Sequence, residues 1–179
     1  MPGPLYYQAQ LSPAEVAFAL AIATQRDACK PRSLQNSRLS KTQSGFGVHF
    51  SGVMGELLFR KVHGGTINQG IYSNGDDHEG DVLLARQIPG GGTLAYPVEV
   101  KTSLYTGPDV DLKFEKTELE RLIERADKNG GAYVALVQLF MPDTGRVSPV
   151  WNIKNLVSSL VEKNYGNGTR FVFRPGRWE

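Results

Sequence analysis

The run AYVALVQLF, residues 132 to 140, constrains the fold more than any other part of the chain. It is almost continuously apolar, broken only by Gln138. A strand with one wet face alternates apolar and polar residues, so this run predicts a central strand covered on both faces. The segment before it, TELERLIERADKNGG, supplies a cover. Leu119, Leu122, Ile123 and Ala126 recur at helical spacing, Thr117 and Glu120 predict a capping box, and Gly130 predicts the stop. A helix feeding a doubly covered strand predicts class α/β, a mixed β-sheet flanked by helices.

The remaining segments fit that plan. Ser12, Pro13 and Glu15 open a first helix with a capping box and a proline at the first helical position, and it ends before Pro31. Residues 31–47 are polar and basic and read as a loop or arm. SGVMGELLFRKVHGG, residues 51–65, predicts a second helix whose apolar face is Met54, Leu57, Leu58 and Val62. Gly52 and Gly55 would each cost it roughly 1 kcal/mol relative to alanine, which predicts a close approach to something behind the helix. TINQGIYS, DVLLARQI and LAYPVEVKTS predict strands, with PGGG at 89–92 turning the last two into a hairpin. PGGG lacks the Lys-Ser/Thr continuation of a phosphate loop, so it reads as a turn. NIKNLVSSLVEKNYG predicts a final helix capped by Asn152, with Ile153, Leu156 and Leu160 inward, and TRFVFRP predicts a closing edge strand. The expected organisation is one domain over 1–179. Its core lies at about 51–140, with the first helix and basic arm at 12–47 and the last helix and strand at 150–175.

Composition narrows the class. Hydrophobic content of 40% and charged content of 21% are those of a globular chain, not a disordered one. No apolar run approaches the ~20 residues of a membrane span, and the opening MPGPLYYQAQ has no secretory pattern, so a soluble cytoplasmic protein is expected. The single cysteine, Cys29, read as half-buried, excludes a disulfide framework and a cysteine zinc cluster. His49, His63 and His78 lack metal-ligand spacing, which disfavours zinc. The net charge of +2 is small but uneven. Arg26, Lys30, Arg32, Arg38 and Lys41 face only Asp27, and Arg170, Arg174 and Arg177 lie near the end, while acid collects in NGDDHEGD at 74–81. Basic ends and an acidic centre suit a polyanion held beside a cation site, although solvated surface charge explains them as well.

Glu99 and Lys101 stand two apart in YPVEVKTS and so leave one face of the strand. A hairpin turning near Gly91 would set Asp81 opposite Lys101 and place all three on that face. A slip of one residue would send Asp81 away. Two neighbouring carboxylates repel unless a cation joins them, and a divalent ion with hard oxygen ligands answers that need. Asp81, Glu99 and the carbonyl of Val100 are the candidate ligands. Lys101 could orient or deprotonate a water or hold a phosphate oxygen, and Glu56 would stand at the edge. Asp76, Asp77 and Glu79 compete with Asp81, which ranks first because it alone enters the apolar strand. For Glu99 and Lys101 by themselves, a surface salt bridge is the plainer reading. Gln138 is expected to pair with a neighbour's backbone, and Tyr6, Tyr7, Trp151 and Trp178 to pack in the core or at the termini rather than stack on bases.

Gly55-Glu56 in a helix, Gly80-Asp81, and Glu99-Val100-Lys101 resemble the PD-(D/E)XK nuclease superfamily. The resemblance spans about residues 51–140 and includes the order helix, three strands, helix, strand, so it implies an αβββαβ restriction-endonuclease-like core. It departs from the family pattern in having Gly80 where a proline often precedes the aspartate. It implies a metal-dependent nuclease acting on DNA with Mg²⁺, or Mn²⁺ in its place. Asp81 and Glu99 would hold the ion, Lys101 would serve the attacking water, and Glu56 would be the accessory acid. The basic residues 26–41 and Arg170, Arg174 and Arg177 would grip the DNA backbone, and a homodimer is left open. The alternatives are a catalytically idle nuclease fold that binds DNA or builds an assembly, and a phosphoesterase for small nucleotides.

Overall fold

The computed structural model describes residues 6–29, 45–69, 80–166 and 168–175. Lys30, Arg32, Arg38, Lys41, Asp76, Asp77, His78, Glu79, Arg177 and Trp178 lie outside the described residues. In chain order the elements are β1 (Tyr7–Gln10), α1 (Pro13–Cys29), α2 (Gly45–His63), β2 (Thr66–Ile67), β3 (Val82–Ile88), β4 (Gly92–Ser103) and β5 (Leu112–Phe114). There follow α3 (Lys116–Asn129), β6 (Tyr133–Phe140), β7 (Thr144–Val147), β8 (Trp151–Asn152), α4 (Ile153–Leu156), a 3₁₀ turn at Val157–Ser159, β9 (Val161–Tyr165) and β10 (Gly168–Phe173).

The large sheet runs β1-β7-β6-β4-β3-β2, with β8 also paired to β6. Strands β4 and β6 are parallel and the other pairs antiparallel. A parallel pair needs a long crossover, and β5 with α3 provides it. The chain is mixed α/β, with helices flanking a sheet. On one face of β6, Ala135, Val137 and Leu139 enter a core with α1 and α2 residues such as Ile22, Met54 and Leu58. On the other, Val134 and Leu136 pack with Leu119 and Leu122 of α3 and Ile153 of α4. The apolar run that predicted a doubly covered strand therefore is one.

Local signals account for α1 and α2. The Glu15 N–H donates to Ser12 Oγ at 3.3 Å, and the Ser12 N–H returns a bond to Glu15 Oε2 at 2.7 Å. Lys61 of α2 adds an ion pair to Glu15 at 2.8 Å, so the cap also pins one helix to the other. The Lys61 hydrogen bond, helped by the Ser12 N–H, pulls the Glu15 carboxyl down to about 2. Helix α2 starts at Gly45, six residues before the expected 51. Of its two glycines only Gly55 is explained by a close approach. A Cβ there would lie 1.9 Å from Thr102 Oγ1, whereas Gly52 has open space.

Several expectations need correction. Helix α3 is capped by Glu115 and Glu118, not by Thr117 and Glu120. The predicted final helix is a single turn, α4, in which the Asn152 side chain does accept from Lys154 N–H at 3.1 Å. The chain then extends into β9, because VEKNY finds a ladder on β10. Strand β10 lies between β5 and β9 in a separate three-stranded sheet, not at an edge, and Pro175 falls beyond it. Strands β1, β5 and β7 were not expected from their short, partly polar sequences. Cys29, at the end of α1, is exposed.

The β3–β4 hairpin turns through Pro89, Gly90 and Gly91, with Ile88 opposite Gly92. Its outer half projects from the body, exposed over 85–91 and 93–95. Its root holds the residues of interest.

Candidate active site

The ladder pairs Val82 with Val98 and ends there, and Asp81, just ahead of it, donates its N–H to Val98 O at 3.0 Å. The expected register, with Asp81 opposite Lys101, is off by two because the turn centres on Gly90 rather than Gly91. Two is an even number, so the face is unchanged. Val82, Leu84, Val98 and Val100 point into the core beneath α1 and α2. Glu99 and Lys101 alternate with them and meet Arg121 and Glu118 of α3, while the Asp81 carboxylate reaches the N–H of Val100 between them.

Gly80 explains how Asp81 arrives there. Its φ is +81°, and a Cβ would lie 2.8 Å from that of Pro97. Proline, locked near −65°, could not occupy this position. Asn68 holds the same turn, with its N–H on Asp81 O at 2.8 Å and its side-chain amide on Gly80 O at 3.2 Å.

Each acid then meets a partner from a different element. Glu56 of α2, whose side chain is only 4% exposed, accepts from Arg26 of α1 at 2.9 and 3.5 Å. Arg26 also donates to Asn68 O at 2.8 Å, joining this pair to the Asp81 turn. Glu118 of α3 accepts from Lys101 through one oxygen and from the Glu115 N–H at 3.4 Å through the other, so one carboxylate both caps the helix and holds the lysine. Glu99 accepts from Arg121 of α3 at 3.3 Å and lies 3.9 Å from Lys101. Asp81 Oδ2 accepts the Val100 N–H at 2.6 Å. Among the described residues no ion pair reaches Asp81.

The electrostatics follow. Burial pushes the Asp81 carboxyl well above its ordinary range. The Glu99 and Glu56 charges add to that, and the Val100 N–H only partly opposes them. Burial alone would depress Lys101, but the Glu118 and Glu99 carboxylates outweigh it and hold the ammonium above its usual value.

These residues fit a hard divalent cation. Asp81 is a desolvated carboxylate flanked by like charge, a condition a cation relieves. The Glu99 charge acts on it from β4, and the Val100 carbonyl points to the same strand edge as the N–H that Asp81 accepts. Among the described residues no three acid, histidine or cysteine side chains form a ready ligand set. Asp81, Glu99 and the Val100 carbonyl could hold such an ion, which would depend on water for its other ligands.

The expected DNA-gripping residues fare differently. Arg26 is drawn into the site by Glu56 and is only 17% exposed, which corrects its expected place on the surface. Arg170 and Arg174 lie on and just after β10, paired with Glu115 at 3.1 Å and with Asp111 at 2.8 Å. Gln138 bonds the carbonyls of Tyr105 and Gly107 at 2.8 and 2.7 Å, the backbone role expected of it. Trp151 packs on Phe173, and Tyr7 on His63. Sequence reasoning missed Glu118 and Arg121. Their signal was a charged pair at i and i+3 on the helix that must cover the strand bearing Glu99 and Lys101. In comparisons with known proteins, no family model, no curated protein and no solved structure matches the chain.

Proposed function

We propose that this chain is a metal-dependent nuclease of the PD-(D/E)XK kind that hydrolyses DNA phosphodiester bonds. The observation that supports this reading is that Glu99 and Lys101 share the α3 face of β4 while Asp81 bonds the Val100 N–H between them, with Glu56 reaching the same turn through Arg26 and Asn68. A bound Mg²⁺, held by Asp81, Glu99 and the Val100 carbonyl, would supply a more acidic water and neutralise charge on the phosphate. Lys101, kept as an ammonium by its two carboxylates, enters as a donor to the water or to a phosphate oxygen and not as a base. Glu118 sets its direction. In the reaction a water oxygen bonds phosphorus, the bond to the leaving sugar oxygen breaks, and the proton goes to solvent or to that oxygen.

Incubation with circular single-stranded, circular duplex, linear and branched DNA, in Mg²⁺ and in EDTA, tests the reading and sorts end-dependent from internal cutting. Full Mg²⁺-dependent cleavage by D81A or K101A would overturn it.

A second reading, an idle nuclease fold that binds DNA, draws on one observation. Glu99 and Lys101 each have a charged partner on α3, Arg121 and Glu118, so α3 can account for both charges as a structural ion-pair network. An idle scaffold would show no rise in melting temperature on Mn²⁺ titration, whereas a functional site would.

A further inference from the structure

We propose that the outer half of the β3–β4 hairpin is a DNA-binding arm. It lies along the minor groove of duplex DNA, with Arg86 on a backbone phosphate and Ile88 and Pro89 wedged at a base step. This rests on the nuclease reading and deepens it by naming duplex DNA as the substrate.

Charge, exposure and place all bear on this. From Val82 to Val98 the chain carries one charged residue, Arg86, and no acid. Arg86 is exposed, and among the described residues no ion pair reaches it, whereas Arg60, Arg170 and Arg174 each have one. Gln87 is engaged across the arm, its amide donating to Thr93 Oγ1 at 3.0 Å. On the ladder Arg86 lies opposite Leu94 and Ile88 opposite Gly92. The arginine therefore shares a face with Ile88 and Leu94, which are 44% and 54% exposed. Gly90, Gly91 and Gly92 have no side chains, which leaves Ile88 and Pro89, both exposed, to form the tip. Exposed apolar groups beside a lone cation call for a partner that is both apolar and anionic. Stacked bases flanked by phosphates meet that need, and isoleucine and proline are side chains that enter a base step from the minor groove. A second copy docked arm to arm would instead gather two Arg86 cations between arms that hold no acid. The seven residues of β3 set the tip about 24 Å from Asp81, roughly seven base pairs along a duplex. A duplex held at the root need extend only that far to meet the tip.

The test uses the full chain as wild type, R86A and I88S, with a duplex long enough to span root and tip and with its single strand. Affinity is read by anisotropy in Ca²⁺ over a salt series. Unstacking is read from a fluorescent purine analogue scanned along the duplex, and oligomeric state by sedimentation. R86A should bind the duplex roughly tenfold more weakly, with a salt slope smaller by about one, and the single strand as wild type does. I88S should keep the salt slope, lose roughly three- to tenfold in duplex affinity and abolish the fluorescence rise that wild type produces at one step. Both should melt within about 2 °C of wild type, because both sites are exposed. Should I88S melt early, I88T serves in its place. Duplex binding unchanged in R86A and I88S, or affinity lost equally for the single strand, would overturn the proposal and leave the nuclease reading standing. So would a wild-type dimer that I88S dissolves, which would make the arm a contact between copies. A wild type that binds neither DNA and cuts none in Mg²⁺ would remove both.

Discussion

The Val100 N–H donates to Asp81 Oδ2 at 2.6 Å, tying the head of β3 to the residue between Glu99 and Lys101. That bond stabilises the carboxylate, yet burial and the Glu99 and Glu56 charges prevail and raise the Asp81 pKa. A carboxyl whose folded pKa exceeds its unfolded value supports the fold fully below the unfolded value, near 3.8, and loses that support as pH rises through the folded one. In EDTA at pH 8, D81N should therefore melt a few degrees above wild type, with the gap closing as pH falls toward 4. Added Mn²⁺ should raise the wild-type melting temperature and leave that of D81N unchanged. Thermal melts across pH check both statements.

Glu118 touches Lys101 and not the reacting atoms, so it is a positioning residue. E118Q should lower kcat roughly 10- to 100-fold with little change in KM, and E118D should recover part of the loss. If the two act as a unit, K101A/E118Q should be no slower than K101A alone. Steady-state kinetics of the four variants decide it.

Helix α2 lies against β4 where Gly55 meets Thr102. G55A should cost about 1–3 kcal/mol from overpacking, less the roughly 1 kcal/mol that alanine gains in a helix. The Thr102 hydroxyl is buried and finds no hydrogen-bond partner among the described residues. T102A should therefore relieve most of the strain in the double variant, and urea melts of the cycle would show a coupling of opposite sign to the single cost.

The Glu15 cap carries a pH signature of the other sign. Its folded pKa of about 2 lies below the ordinary 4.5, so its contribution is present above that value and lost as pH falls toward 2. E15Q should cost roughly 1 kcal/mol at pH 7 and only about a quarter of that near pH 2.5. Parallel denaturant titrations at the two pH values measure the difference.

What the sequence disclosed was what neighbours along the chain decide. The Ser12–Glu15 cap, the Leu119-Leu122-Ala126 stripe, the Gly130 stop and the buried run at β6 each depend on residues within a few positions of one another. The segment after Asn152 misled because Ile153, Leu156 and Leu160 keep helical spacing, while only the distant β10 decides that VEKNY extends. Both Thr117–Glu120 and Glu115–Glu118 fit a capping box. Lys101, which selects the second, is far away in sequence. The site was legible as four residues of the right kinds on the right elements. The cations from α1 and α3 that neutralise two of its acids, Glu56 and Glu99, depend on packing and were not.

The projecting hairpin also bears on how such a chain tolerates length change. Adding one residue to each of its strands would lengthen the arm by a rung, move its tip outward and leave Val82 across from Val98 and Asp81 in place beside it. A lone residue added to β3 must be absorbed by the loop or by a bulge, or else it turns the aspartate toward the α2 side. Insertions and deletions in this arm should therefore be accepted by the fold in matched pairs, with the spacing at its root held.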